Sequence, residues 1–521
     1  MDRRKFIKNL SLASATVPFM VDNIMAQALP NNLFNVPVSY EDRVLVMIRM
    51  SGGNDGLNMV IPIDQYDNLM IQRPNIIIPE NKIIQGTYDL GFHPALNGIS
   101  EMFNDGKASV IQNVGYQEQN RSHFRSMDIW STGSTEIYEK RGWLGRYFEQ
   151  NHPEYPDNYP NNINPDPFAV SMGSSISTTC QGTIANFSTL VSKPSNTYNL
   201  EESLTTNDGT LNGCNSSFVT TLIEQTNAYG LRINAANDAG NSLSQYYYID
   251  NNPQNDFKSK ISEQLKYVAQ MISGGMQTKL YILDVNGFDT HNEQVDLSDT
   301  STGVHAELLQ EISDAVYAFQ NDLELLGLDK RVMGMTFSEF GRQIASNGSA
   351  GTDHGDAAPL FLFGKCISSS IIGNNPVILD EITNQKGVDM QIDFRDVYAS
   401  ILKDWFRISE DQITTIFENH SINYLTLMDG CYSNGLHDEE PTLIWPNPAG
   451  DITNLDFYTP GGDTRVNLVD MRGRIVRNYM DMAVDEGRHK LELNLNGVSK
   501  GIYRISIVTM NGNKSVSLAI Q

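Results

Sequence analysis

The chain has 521 residues, 40% of them hydrophobic, and a formal net charge of -25. Its length suits one large domain plus a smaller one, and its acidity argues against a nucleic-acid partner, whose binding needs clustered Lys and Arg. Past the N-terminus no segment has the length and apolarity of a membrane span. Cys180, Cys214, Cys366 and Cys431 lack metal-site spacing. Cys180 and Cys214 flank one polar region and either pair in an oxidising compartment or stay as free buried thiols.

The first 28 residues read as a twin-arginine-like signal peptide. Arg3 and Arg4 precede Phe6, Ile7 and Lys8, an apolar stretch runs over 10–21, and Ala26-Gln27-Ala28 suits a signal peptidase. An ordinary secretory signal that happens to hold two arginines is the alternative. Residues 29–432 form the expected large domain, with strands predicted over 43–50, 108–114, 167–171, 279–285, 331–337 and 360–363. Their continuous apolar character suits strands covered on both faces, in a central, mostly parallel sheet flanked by helices. Two helical stripes support this α/β class: Phe257, Ile261, Leu265, Val268 and Ile272, then Leu309, Ile312, Val316, Phe319, Leu323 and Leu326. Between about 151 and 252 the chain turns rich in Asn, Ser, Thr and Gly, an insertion suited to a lid or cap. A linker over 433–441 leads to a β-sandwich over 442–521, with strands predicted at 464–471, 489–495, 502–510 and 514–520.

Four clusters in the large domain carry reactive side chains. Ser51-Gly52-Gly53-Asn54-Asp55-Gly56-Leu57-Asn58 follows the first strand, where a carboxylate holds a divalent cation or Asn-Asp-Gly makes a plain turn. Asn120-Arg121-Ser122-His123-Phe124-Arg125 offers a hydroxyl nucleophile between two arginines suited to an anionic ester, or a helix N-cap. Gly287-Phe288-Asp289-Thr290-His291 follows another strand and places Asp289 and His291 on one side of an extended segment, as metal ligands or as a polar loop. Ser338-Glu339-Phe340-Gly341-Arg342 and then Asp353-His354 follow a third, with Glu339 and Arg342 as supporting groups. Repeated placement after strands is the topology that lets such ligands converge.

These motifs, with Gly91-Phe92-His93-Pro94 and Gly142-Trp143-Leu144-Gly145-Arg146, resemble the bacterial family called domain of unknown function 1501, to about residue 407. That family is in turn similar to the alkaline phosphatase and sulfatase superfamily. The resemblance implies a metal site at the carboxyl edge of the sheet and an order of elements that here reads Asp55, Ser122, Asp289 with His291, and Asp353 with His354. Asp289 and His291 are two apart where two-zinc members space this pair by four. A late histidine ligand also lacks an obvious counterpart, since His420 and His437 lie in unsuitable contexts; His123 or His93 is the substitute. The last segment resembles the type A sorting domain of type IX secretion, on Trp445-Pro446-Asn447-Pro448, Asp470-Met471-Arg472-Gly473 and Gly501-Ile502-Tyr503. It departs at Leu518-Ala519-Ile520-Gln521, which lacks the usual basic residue.

The expectation is an exported, metal-dependent hydrolase of phosphate or sulfate esters, at the cell surface or beyond. Asp55, Asp353 and His354 would bind one divalent ion (zinc, calcium or other), and Asp289 and His291 a second or complete the first. Ser122 would attack, with His123 beside it, and Arg121 or Arg125 would neutralise the transferring oxygens. The partners would be an anionic ester or glycan and the export and type IX machineries. The alternative is a non-catalytic surface protein that keeps the fold and binds glycans or assists assembly.

Overall fold

The computed structural model describes residues 19–21, 24–26, 42–87, 89–195, 211–248, 256–368, 371–383, 385–428, 443–459, 461–470, 475–485, 487–509 and 512–520. The expected signal peptide therefore lies outside the described residues, apart from a pair of three-residue strands, as do the linker over 433–441, Cys431 and His437. The chain divides into two compact units, Met1–Lys365 with Ser370–Leu425, and Cys366–Ser369 with Thr426–Gln521.

The first unit is built on a nine-stranded sheet. Its strands are β1 (Val44–Ser51), β2 (Ala108–Gly115), β3 (Ala169–Met172), β4 (Ser188–Val191), β5 (Leu280–Asn286), β6 (Val332–Phe337), β7 (Ala358–Gly364), β8 (Ile371–Ile372) and β9 (Ile392–Asp393). The order is β8-β2-β7-β6-β1-β5-β3-β4, with β9 also on β2. Every pairing is parallel except those of β7, which runs against both β6 and β2. Strands β2, β6 and β7 are buried at every position, as strands covered on two faces are, with Ser109, Gln112, Asn113 and Thr336 buried among the apolar residues.

The helices of this unit include α1 (Asn97–Asn104), α2 (His123–Thr132), α3 (Trp143–Asn151), α4 (Leu211–Ala239), α5 (Asp256–Ser273), α6 (Val304–Leu325) and α7 (Phe394–Ser400). The apolar stripes of α5 and α6 enter one core with the sheet, burying Ile261, Leu265, Val268 and Ile272 beside Leu309, Ile312, Val316, Phe319 and Leu323. The polar stretch contains α4, 29 residues long, whose Asn- and Thr-rich sequence conceals its helical period. Cys180 is buried and free, so it does not pair with Cys214, whereas Cys366 is disulfide-bonded.

The Gly142-to-Arg146 motif is architectural. A side chain on Gly142 would meet the Thr179 carbonyl oxygen at 1.9 Å, so only glycine lets α3 seat against that turn. Trp143 is buried and stacks on Tyr398 at 4.3 Å. Arg146 donates to the carbonyls of Thr132 and Ile416, which end α2 and a short later helix.

The second unit is a sandwich of two sheets. Strands β10 (Leu443–Trp445), β11 (Ile452–Thr459), β12 (Gly462–Asp470), β13 (Ile475–Val484), β14 (Gly487–Asn494), β15 (Gly501–Thr509) and β16 (Gly512–Ile520) pair as β10-β11-β14 and β13-β12-β15-β16. Leu455, Phe457, Val466, Leu468, Leu493, Ile505, Ile507 and Leu518 fill the space between them. The sequence reading missed β10, β11, which carries Asn454 and Asp456, and β13, an edge strand with no buried position.

Candidate metal centre

The loops beyond β1, β5 and β6, together with the N-terminus of α2 beyond β2, meet at one edge of the sheet. That is the carboxyl edge, where open α/β sheets place ligands. Close approach is built into the backbone: Gly52 has φ +127, and a Cβ there would lie 2.3 Å from the Asp289 amide nitrogen. Arg342 laces the loops together with its side chain fully buried. Its Nε donates to the Gly53 carbonyl at 2.6 Å, Nη1 to Thr352 at 2.7 Å, and Nη2 to Phe288 at 3.0 Å and to Asp289 Oδ1 at 2.6 Å. Five donors in a planar fork make this possible for arginine alone.

Around Asp289 stand three imidazoles, each anchored through Nδ1. His123 Nδ1 lies 2.9 Å from Glu339 Oε1, His291 Nδ1 2.8 Å from Asp353 Oδ1, and His354 Nδ1 2.8 Å from the Arg121 carbonyl oxygen. Carboxylate and carbonyl oxygens accept, so each Nδ1 carries a proton, and a ring protonated there alone keeps its lone pair on Nε2. All three Nε2 atoms face Asp289: His354 at 3.1 Å and His291 at 3.2 Å from Oδ1, and His123 at 3.5 Å from Oδ2. The Nε2 atoms of His291 and His354 are themselves 3.0 Å apart. Lone pairs aimed at one another and at a carboxylate repel unless a cation stands among them. Donor atoms of His123, Asp289 and His354 lie within 4.8 Å of one another, close enough to share one ion. The donor set fits a metal, and the anchors behind the rings are the outer partners that ligating histidines require.

Electrostatics bears on Asp289, His354 and Asp353. Burial works to raise the Asp289 pKa, but the hydrogen bond and positive charge of Arg342 outweigh it and hold the carboxyl below its ordinary value. Burial lowers the His354 pKa and keeps the ring neutral. The His291 hydrogen bond holds Asp353 below its ordinary value. Glu339 is nearly inaccessible and also accepts from the Gly52 amide at 2.9 Å, which fixes its carboxylate toward His123.

The structure brings together Asp289, His291, His354, Asp353 and His123, and leaves Asp55 apart. Asp55 is buried in an ion pair with Arg73, whose Nη1 lies 3.0 and 2.9 Å from its two oxygens, and Gln294 donates to Oδ2 at 2.6 Å. Both oxygens of Asp55, expected as a metal ligand, are thus engaged by Arg73 and Gln294. Asp353 sits behind His291 as its orienting partner. His93 lies instead beside buried His305, the rings 6.1 Å apart, so His123 is the histidine that completes the cluster. Burial pushes the pKa of His93 down to about 3 and that of His305 to about 4.

The expected anion-binding arginines are both engaged. Arg121 grips Asp356 through Nε and Nη2 at 2.9 and 2.6 Å, and Arg125 Nη2 donates to the Thr135 carbonyl at 2.6 Å. Ser122 is exposed at the N-cap of α2 and makes no side-chain bond to the helix. The sequence reading missed Asp356, Arg73 and Gln294, each of which acts through a partner remote in the chain.

Residues 268–417 match the family described as a protein of unknown function (DUF1501), a span that includes Asp289, His291, Glu339, Arg342, Asp353 and His354. Residues 443–521 match the secretion system C-terminal sorting domain. No curated protein matches the chain. Among solved structures it is similar to the PsFucS1 sulfatase from Pseudoalteromonas sp., at 11% identity, covering 87% of this chain and 84% of that one, with a TM-score of 0.32. A protein in the alkaline phosphatase superfamily from Vibrio parahaemolyticus is similar at 9% identity, over 88% and 81% of the two chains, with a TM-score of 0.31. PorZ, a surface component of the type-IX secretion system of Porphyromonas gingivalis, is similar at 17% identity with a TM-score of 0.14. That likeness covers 18% of this chain, which spans 13% of the PorZ chain's length.

Proposed function

We propose that this secreted or cell-surface protein, a chain of the DUF1501 family with a type IX sorting domain, is a metal-dependent hydrolase of phosphate or sulfate esters. The observation that carries the reading is the set of three Nε2 atoms turned onto one carboxylate, Asp289. His123, Asp289, His291 and His354 would hold one divalent ion. Imidazole-rich donors suit zinc and its transition-metal neighbours better than calcium. When bound, such an ion would supply Lewis acidity toward an ester oxygen.

The chain's own groups have distinct tasks. Asp353, Glu339 and the Arg121 carbonyl hold the three rings with Nε2 inward, and Arg342 holds Asp289. Ser122 remains the candidate nucleophile, because its hydroxyl is exposed at the start of α2. The first intrahelical bond there runs from the Ser126 amide to the Ser122 carbonyl, so the amides of residues 123–125 are unsatisfied within the helix and favour an anion. A twin-arginine-like leader over residues 1–28 suits a protein exported folded with its metal in place.

The test is metal analysis of the purified full chain alongside turnover of aryl phosphate and aryl sulfate esters. The expected result is about one ion per chain, lost in Asp289→Asn and His354→Ala together with turnover. A chain with neither metal nor turnover sinks the proposal. The second reading, a non-catalytic surface protein, is favoured by one observation: Arg121 is committed to Asp356 and Arg125 to Thr135. Metal without turnover of any ester would support it.

A further inference from the structure

At the far end of α2 from His123 lies a cleft of about 480 Å³, whose lining includes Tyr138, Glu139, Arg141, Arg395, Glu418 and His420. Ten helical residues separate it from the metal centre, about 15 Å along the helix axis. Its volume is in the range of small-ligand sites.

The arginines in its wall are already paired with carboxylates. Arg141 donates through Nε and Nη2 to Glu139 at 3.1 and 2.8 Å, and Arg395 does the same to Asp393 at 2.8 and 2.7 Å. Each pairing uses one edge of a guanidinium and leaves Nη1 with no hydrogen bond among the described residues. The Arg395 side chain is 10% exposed, so its spare donor is built into the cleft wall and not splayed in solvent. His420 is held by Asp396, 2.7 Å from its Nε2. At the rim, Tyr138 is 91% exposed.

Cations neutralised by their own carboxylates offer little net attraction to a free anion. What this wall offers is donors and acceptors side by side, with the exposed Tyr138 ring in the same lining. A hydroxyl group both donates and accepts, and a sugar ring adds apolar C–H faces to its hydroxyls. We infer that the cleft binds a saccharide, an uncharged stretch of oligosaccharide with Tyr138 against a ring face and Glu139, Arg141 and Arg395 on its hydroxyls. This binding does not depend on the chemistry of the metal centre.

A glycan microarray carrying neutral, uronic and sulfated oligosaccharides tests it with the full chain, Tyr138→Ala, Arg141→Ala and the metal-centre variant His354→Ala. Affinity for the best-retained neutral oligosaccharide is then measured by calorimetry. The full chain and His354→Ala are expected to bind alike, and each cleft variant to bind about tenfold more weakly or worse. Tyr138 and Arg141 are exposed enough for both variants to fold, which circular dichroism verifies. The inference is overturned if no neutral oligosaccharide is retained, or if retention is the same in both cleft variants. Retention confined to charged glycans and displaced by inorganic phosphate would overturn it too, and would make the cleft an anion site.

Discussion

His291 and His354 face each other Nε2 to Nε2 at 3.0 Å, while their Nδ1 atoms are held by the Asp353 carboxylate and the Arg121 carbonyl. Rings protonated only at the anchored Nδ1 present lone pairs to each other, and Asp289 Oδ1 adds a third electron-rich atom within 3.2 Å. The sequence pairs Asp353 with His354 as neighbouring ligands, whereas in space Asp353 lies behind the His291 ring and His354 faces Asp289.

This division of labour is measurable. Asp353→Ala would remove the anchor of His291 and weaken metal binding about 10–100-fold without abolishing it. Asp353→Asn, which keeps an acceptor oxygen, would lose less. Competition with a chelator of known affinity gives both numbers. If Asp353→Ala holds no metal at all, the carboxylate is itself a ligand.

The Asp55–Arg73 pair is predicted to serve stability alone. Both side chains are buried, so Arg73→Met would strand a carboxylate and cost about 3–5 kcal/mol. Burial would raise the Asp55 pKa, but Arg73 leads the groups that outweigh it and hold the carboxyl below its ordinary 3.8. Denaturant titration measures the loss, and metal content of the folded fraction should match that of the unmodified chain. A folded fraction devoid of metal would return Asp55 to the centre.

Acid sensitivity should set in well above the carboxylate range. His93 and His305 stay neutral in the folded chain, with pKa values lowered by burial from 6.5 to about 3 and about 4. Below about pH 6.5 the unfolded chain takes up protons that the folded chain refuses. Stability is thus fully present above that pH and falls toward pH 4, by about 1.4 kcal/mol per pH unit for each histidine. His93→Asn, which keeps an acceptor for the Ala95 amide, should remove one such contribution from the slope. Equilibrium unfolding at pH 7, 6 and 5 decides it, and a flat profile would contradict the assignment.

Ser122→Ala should leave stability within about 0.5 kcal/mol, because the hydroxyl is exposed and caps nothing. If Ser122 attacks the ester, turnover falls by about a thousandfold or more. Turnover that survives with metal intact would move the attacking oxygen to water.

The sequence by itself determined the layout on which this protein is built. Unbroken apolar runs announce strands covered on both faces, and β1, β2, β5, β6 and β7 lie within a few residues of the predicted spans. The polar motifs after those strands, from Ser51 to Asn58, Arg121 to His123, Asp289 to His291 and Ser338 to His354, were visible as local strings. What each residue in them does was decided by tertiary structure. His123 and Glu339 are 216 residues apart, His354 and the Arg121 carbonyl 233, and Asp55 and Gln294 239. A carboxylate faces the imidazoles, anchors one of them or forms half of an ion pair according to which atoms surround it. Local spacing constrains neighbours along the chain, but only the packed sheet edge brings those distant partners into hydrogen-bond range.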